Sequence, residues 1–115
     1  MKIVDVTTTM LFNPEGFLIQ DATIFQPKEG AKGTKGFFVH IKTDEGIEGL
    51  GTSAGHRAVQ AVVEDTLKDA LIGQDPFETE RLWDQMFWRV RGFGRKGVAF
   101  CAISACDIAL WDLKA

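Results

Sequence analysis

Clusters of β-branched residues and short runs in which apolar and polar residues alternate predict β-strands in the first half of the chain. Residues 3–12 are rich in β-branched side chains, a composition that favours a first strand from Ile3 to Phe12. Every second residue is apolar in residues 37–41, within a second strand predicted from Gly36 to Thr43, and the pattern resumes at Ile47 after Asp44-Glu45-Gly46. A short connection that ends in glycine is typical of a type I turn with a bulge. We therefore predict that strands two and three form a hairpin.

Three segments with a helical period follow the strands. The first ends at Gly73, and one of its faces carries Val59, Val62, Val63, Leu67, Ala70 and Leu71. The second begins at Asp75-Pro76-Phe77-Glu78, where a capping aspartate, a proline at the first helical position and a glutamate that reaches back form a start signal. Its buried face is predicted to hold Trp83, Met86, Phe87 and Val90. The order of elements predicts an α+β fold, a three-stranded antiparallel β-meander followed by a three-helix bundle.

The third helix, predicted from Val98 to Ala115, is apolar around nearly its whole circumference. One stripe consists of Ala99, Ala102, Ile103, Cys106, Leu110 and Leu113, and further apolar residues are Phe100, Cys101, Ala105, Ile108 and Trp111. A helix that is apolar all round is buried all round, and one sheet with two helices covers only one side of it. The sequence ends inside this pattern without a glycine cap, and Asp112 lies where the helix dipole disfavours a negative charge. We therefore expect the natural polypeptide to continue and a further domain to cover the other side; a homodimer through this helix would satisfy the same surface.

The connection between the first two strands, residues 13–35, has no regular period. It nevertheless contains the large apolar residues Phe17, Leu18, Ile19, Ile24 and Phe25. Long loops without secondary structure are uncommon in compact domains and are often functional lids. These side chains favour a lid, and the alternative is an irregular strand or turn packed on the domain's own core.

Length and composition narrow the class of protein. With 115 residues the chain has the size of one domain and is too short for a complete (β/α)₈ barrel. Its formal net charge of −3 gives no general attraction to nucleic acid or to an anionic membrane. No signal peptide or membrane span is visible, so we expect a cytoplasmic protein. Cys101 and Cys106 lie about 140° apart on one helix, which suits neither a disulfide nor a metal pair, and we interpret them as reduced core thiols.

Two short motifs suggest other functions, and both are set aside. Gly49-x-Gly51-x-x-x-Gly55 lies between a strand and a helix, but a dinucleotide site needs G-x-G-x-x-G in a parallel βαβ unit. The stretch 89–97 contains Arg89, Arg91, Arg95 and Lys96 beside Phe93, a composition that can bind phosphate or single-stranded nucleic acid. Because the chain is acidic overall, a loop whose arginines pair with nearby acids or with the missing domain is favoured.

Three segments resemble a known family: Thr43 to Gly51 at the hairpin, Leu71 to Pro76 before the second helix, and Ala102 to Lys114 at the end. Their order and spacing resemble the N-terminal capping domain of the enolase superfamily, in its mandelate racemase and muconate lactonizing enzyme branch. The resemblance implies an enzyme that abstracts the proton α to a carboxylate and stabilises the enediolate on Mg²⁺ in a (β/α)₈ barrel that follows residues 1–115. The catalytic and metal-binding residues would lie in that barrel, so we assign neither to this chain.

The resemblance also implies two loops that shape the substrate pocket, residues 13–35 and the turn Gly51 to Arg57. In the first, Phe17, Ile19, Ile24 and Phe25 are candidates to exclude water from the enediolate; as an alternative, each is an ordinary loop anchor. In the second, Thr52, Ser53, His56 and Arg57 are candidates to contact a carboxylate or hydroxyl groups. Gly51 and Gly55 would let the backbone approach a ligand, and the first N–H groups of the next helix would form an anion site. The alternative is a helix start capped by Ser53 or Thr52 with two exposed basic side chains, and no function is assigned to His40.

The hypothesis that follows is a substrate-capping and specificity domain of a Mg²⁺-dependent enzyme. The polar turn favours a hydroxylated substrate and therefore an acid-sugar dehydratase, ahead of a racemase, an epimerase or a muconate-type cycloisomerase. The partners expected are a small carboxylate, the covalently linked barrel and further copies in a homo-oligomer. A stand-alone α+β module that dimerises through its last helix is the alternative.

Overall fold

A computed structural model describes residues 1–13, 34–94 and 96–115 of the chain. Its sheet contains β1 (Ile3–Asn13), β2 (Thr34–Thr43) and β3 (Glu48–Ala54), which pair antiparallel in the order β1-β2-β3. Thr43 and Ile47 close the connection between β2 and β3 through a backbone hydrogen bond of 3.0 Å, and Gly46 takes a φ of 79°. The predicted hairpin and its glycine-containing turn are confirmed.

The helical half begins with a continuous segment of three parts, α1 (Arg57–Val62), a π-helical turn (Val63–Leu67) and α2 (Lys68–Leu71). Two further helices follow, α3 (Thr79–Arg89) and α4 (Val98–Lys114), with a 3₁₀ turn at Arg91–Phe93 between them. The α+β architecture is thus the one expected. The π-helical turn was not predicted, because one extra residue in a turn scarcely changes an apolar pattern of period 3.6.

The predicted start of the second helix at Pro76 is wrong. The carboxylate of Asp75 does accept a hydrogen bond of 2.9 Å from the backbone N–H of Phe77, but this bond closes a turn. Glu78 has the non-helical angles φ −82° and ψ 55°, so α3 begins one residue later at Thr79. The carboxylate of Glu78 pairs with Arg81 instead of reaching back.

The core lies between the inner face of the sheet and the three helical segments. α4 rests directly on β3, because a Cβ at Gly51 would lie 1.8 Å from the carbonyl oxygen of Ala105. A Cβ at Gly49 would lie 2.1 Å from the carbonyl oxygen of Ala109. The core includes all the residues predicted for the first apolar face except the half-buried Val62, together with Ile3, Val6, Phe37, Val39, Ile41, Leu82, Met86, Val90, Ile103 and Leu110.

Two aromatic residues of the predicted α3 stripe are only half-buried. Trp83 and Phe87 stack on each other with ring centroids 5.2 Å apart, and the ring of Phe100 meets Trp83 edge-on. Both cysteines are free, with Cys106 buried and Cys101 half-buried. Burial raises the pKa of the Cys106 thiol to about 12, so it stays protonated at neutral pH.

One side of α4 is left uncovered by the rest of the described chain. Phe100, Ile108 and Trp111 are 45%, 44% and 51% exposed, while the opposite stripe is buried. The described residues therefore enclose only half of this apolar helix, as the sequence pattern predicts. In the described ranges, no helix combines the length and the apolar character that crossing a membrane requires.

Candidate functional site

Four chain segments meet at one end of the sheet, which we call the site edge. Strand pairing sets Asn13 opposite Thr34 and Gly36 opposite Ala54, so β1 ends, β2 begins and β3 ends at this edge. α1 starts immediately afterwards at Arg57. The segment 14–33 leaves β1 and re-enters β2 here, so both predicted pocket loops are attached to the same edge. The candidates Phe17, Ile19, Ile24 and Phe25 lie outside the described residues, and their role stays a prediction.

His56 is the N-cap of α1, and the sequence analysis missed this role. Its backbone is extended, with φ −138° and ψ 142°, and its ring Nδ1 accepts a hydrogen bond of 3.0 Å from the backbone N–H of Ala58. The alternative that Ser53 or Thr52 caps the helix is wrong. Because Nδ1 is the acceptor, the neutral ring carries its proton on Nε2. The exposed imidazole therefore presents an N–H donor at the site edge.

The other three candidates of this turn differ in their surroundings. Arg57 is the first residue of α1, is exposed, and makes no ion pair with any residue of the described ranges. Thr52 is exposed, but its hydroxyl donates to the carbonyl oxygen of Phe37 at 2.9 Å, which leaves it only as an acceptor. Ser53 is half-buried. The structure thus places His56 and Arg57 next to each other in the chain as exposed donors, and it leaves the Thr52 hydroxyl as an acceptor only.

Two details of the sequence interpretation are corrected. Gly51 does not free space for a ligand, because the direction of its missing side chain is filled by Ala105 and Ala109 of α4. The first N–H groups of α1 are not all available to an anion, because the imidazole of His56 already binds that of Ala58. The exposed side chains of His56 and Arg57 are the donors that the structure shows at this edge.

A polar network that was not predicted ties the first strand to the first helix. The hydroxyl of Thr8 donates to the carboxylate of Glu64 and accepts at 3.0 Å from the side-chain amide of Gln60. The network fixes α1 against β1 and so orients the turn that carries His56. The sequence shows that Thr8, Gln60 and Glu64 are polar, but nothing in one chain's pattern pairs them.

His40 lies away from this edge, in a cross-strand network. Its Nε2 lies 3.1 Å from the hydroxyl of Thr9, and its Nδ1 lies 2.6 Å from the carboxylate of Glu48. Both contacts join neighbouring strands, and no function is assigned to His40.

The described residues do not fit a magnesium ion. Within residues 1–13, 34–94 and 96–115, no group of three histidine, cysteine, aspartate or glutamate side chains is placed to hold a metal. Mg²⁺ needs several oxygen ligands in near-octahedral geometry. This part of the chain therefore supplies no magnesium site of its own.

Comparison with known proteins decides the family. Residues 17–115 match the family described as "Mandelate racemase / muconate lactonizing enzyme, N-terminal domain". The chain belongs to this family. Gly49, Gly51, the aspartate-proline turn and the apolar final helix all lie within the matched residues.

Similar proteins are enzymes of which this domain is one part. The chain is 44% identical over 80 residues to a 3,6-anhydro-alpha-L-galactonate cycloisomerase of Streptomyces coelicolor, which is 66% of this chain and 22% of the relative. It superposes with a TM-score of 0.84 and 30% identity on a mandelate racemase/muconate lactonizing enzyme-like protein from Rubrobacter xylanophilus, covering 100% of this chain and 30% of that one. An L-talarate dehydratase from Polaromonas sp., complexed with Mg and L-glucarate, gives a TM-score of 0.81 and 34% identity over 99% of this chain and 32% of its own. The chain spans less than a third of each of these proteins.

Proposed function

We propose that this chain is the substrate-capping and specificity domain of a Mg²⁺-dependent acid-sugar dehydratase. A catalytic (β/α)₈ barrel would follow residue 115 in the same polypeptide. The observation that carries the proposal is the site edge, where segment 14–33 and the turn into α1 are attached beside the exposed donors His56 and Arg57.

The polar groups of the site edge suit a hydroxylated carboxylate. The guanidinium of Arg57 can bind a carboxylate through two parallel hydrogen bonds. The Nε2–H of His56 is directed by the capping bond of Nδ1, so it can donate to a hydroxyl or carboxylate oxygen. Segment 14–33, with Phe17, Ile19, Ile24 and Phe25, would cover the substrate and exclude water, since an enediolate survives only where water does not compete for its charge.

The barrel would cover the exposed side of α4. Phe100, Ile108 and Trp111 form an apolar strip on a helix whose other side is already buried. Full burial of a large apolar side chain contributes about 1.5–3 kcal/mol, and these three are already about half-buried, so a covering domain would gain roughly half of that from each. Mg²⁺ and the acid–base groups would belong to that barrel, where the metal stabilises the charge that develops when the α-proton leaves. Further copies of the protein would assemble into a homo-oligomer.

A cycloisomerase acting on a sugar acid is the second candidate. This candidate is supported by the Streptomyces coelicolor relative, which is 44% identical and is a cycloisomerase. The matched structure that contains L-glucarate is a dehydratase and supports the first candidate. The two reactions differ in mass balance. A dehydratase releases one water for each substrate, whereas a cycloisomerase gives a product of unchanged mass.

The test uses the full polypeptide with its barrel, incubated with a panel of hexarate, hexonate and pentonate sugar acids in Mg²⁺ buffer. Mass spectrometry of the products should show the loss of one water from at least one sugar acid, and EDTA should abolish the reaction. A product of unchanged mass would exclude the dehydratase, and its NMR spectrum would then separate a cycloisomerase, which changes the ring connectivity, from a racemase or epimerase, which changes only the configuration of a carbon. No turnover of any sugar acid, together with a stable dimer of the 115-residue chain in light scattering, would favour a stand-alone dimerisation module.

A further inference from the structure

A cleft lies between the start of α3 and the last turns of α4. It measures about 210 Å³ and is lined by Thr79, Glu80, Trp83, Asp107 and Trp111. The neighbouring turns of α4 contact the start of β3 at Gly49, whereas the site edge lies at the end of β3. This cleft, which we call the tryptophan cleft, therefore lies at the other end of the domain from the proposed substrate loops.

Two polar groups in the tryptophan cleft lack a partner in the described part of the chain. Thr79 is only 3% exposed, and its hydroxyl makes no hydrogen bond with any residue of the described ranges. Asp107 is half-buried and makes neither an ion pair nor a side-chain hydrogen bond within the same ranges. Burial raises the pKa of its carboxyl, because no cation compensates for the loss of solvent. A buried hydroxyl and a partly desolvated carboxylate are both costly when unpaired.

Nearby cations of the chain are engaged elsewhere. Arg81 binds the carboxylate of Glu78 and the side-chain oxygen of Gln74. The ammonium of Lys114 lies 4.8 Å from the ring centroid of Trp111. Trp111 thus already attracts a cation, whereas the carboxylates of the cleft have none among the described residues.

We propose that the tryptophan cleft binds an arginine side chain of the barrel domain and thereby docks the two halves of the polypeptide. This rests on the proposed function, which supplies the barrel. A planar guanidinium can stack on an indole ring while it donates to a carboxylate and to a hydroxyl, and a lysine ammonium lacks the planar fork. Two tryptophans, two carboxylates and one buried hydroxyl match those donors and that plane.

Size and chain length favour this occupant over a free metabolite. Pockets for small-molecule ligands commonly measure about 300–1,000 Å³, and the tryptophan cleft falls below that range. Matched relatives extend to more than three times the length of this chain, so the covering polypeptide is large. The cleft also adjoins Trp111 of the exposed apolar strip on α4, so one covering surface reaches both.

The test measures urea unfolding of the full polypeptide and of two variants, Asp107→Asn and Thr79→Val. If a guanidinium is bound, each variant loses a hydrogen bond to a charged group, and the unfolding equilibrium constant should rise at least tenfold. If the cleft has no cation, Asp107→Asn removes an uncompensated charge and Thr79→Val removes an unpaired hydroxyl, so both should leave stability unchanged or increase it. The sign of the effect therefore decides. Asp65→Asn, an exposed carboxylate of the π-helical turn, is the matched control and should change the constant less than twofold.

A crystal structure of the full polypeptide supplies the second measurement. Density for a guanidinium in contact with Asp107 is the expected result, and a lysine, an apolar side chain or solvent there would overturn the proposal. Turnover of sugar acids is measured on the same preparations. If the protein turns over sugar acids and its Asp107→Asn variant is as stable as wild type, arginine binding in the tryptophan cleft is refuted and the proposed function is not. If the protein is inactive but a guanidinium contacts Asp107, the proposed function is refuted and arginine binding is not.

Discussion

Replacing Gly51 by alanine should separate α4 from β3. The added Cβ would lie 1.8 Å from the carbonyl oxygen of Ala105 and 2.8 Å from the backbone nitrogen of Ala109. Ordinary van der Waals contacts need roughly 3.5 Å, so the helix must shift by about 1.7 Å or the strand must bend away. Both partners are backbone, so no side-chain rotation relieves the overlap.

The cost follows from what such a shift disturbs. Overpacking a core typically costs about 1–3 kcal/mol, and a clash with helix backbone belongs at the upper end. A loss of about 3 kcal/mol raises the unfolding equilibrium constant roughly a hundredfold. That is a large fraction of the roughly 5–15 kcal/mol by which domains are typically stable.

Urea unfolding monitored by tryptophan fluorescence measures this loss, since the three tryptophans lie on α3 and α4. Gly92→Ala is the matched control, because no heavy atom lies within 4 Å of a Cβ built there. It should leave stability unchanged or raise it by about 0.4–1 kcal/mol. If the free energy of unfolding of Gly51→Ala lies within about 0.5 kcal/mol of the wild-type value, α4 does not pack directly on β3 and the packing argument is refuted.

Three other substitutions or reactions test local contacts. Asp112→Ala removes the carboxylate that accepts a 2.9 Å hydrogen bond from the N–H of Leu50. The change should lower the free energy of unfolding by about 1 kcal/mol and speed amide hydrogen exchange at Leu50. Unchanged exchange at Leu50 would contradict the bond. His56→Ala removes the N-cap and should lower the free energy of unfolding by about 1 kcal/mol. His56→Asn can still cap the helix and should keep most of the wild-type stability. Equal losses for the two variants in urea unfolding would contradict the cap. Burial raises the pKa of the Cys106 thiol to about 12, so this thiol should resist alkylation by iodoacetamide at about pH 8 until the protein unfolds. Rapid labelling of Cys106 in the native state would refute its burial.

Local patterns predicted the elements well because their causes are local. Alternation in β2 and the glycine of the hairpin turn determine strand and turn within a few residues. The apolar face of residues 59–71 likewise indicates which side of the helix packs against the core. The misplaced start of α3 has a local cause of another kind, because Asp75 satisfies its capping bond equally well in a turn.

Contacts between distant residues were beyond the reach of the same reasoning. Gly51 was interpreted as room for a ligand, whereas it makes room for α4, about fifty residues later in the chain. Asp112 was interpreted as unfavourable at a helix end, yet its carboxylate binds the N–H of Leu50. One sequence records that a residue is small or charged, but it does not record which distant backbone group requires it.

The central claim is that the site edge faces the substrate, and steady-state kinetics of Arg57→Ala in the full polypeptide test it most directly. Arg57 is exposed beside His56 and makes no ion pair within the described ranges, so its loss should lower kcat/KM for the sugar acid about tenfold to a hundredfold without changing Mg²⁺ affinity. Lys2→Ala, an exposed cation at the opposite end of β1, should change kcat/KM less than twofold. Equal kinetics for Arg57→Ala and wild type would contradict the claim.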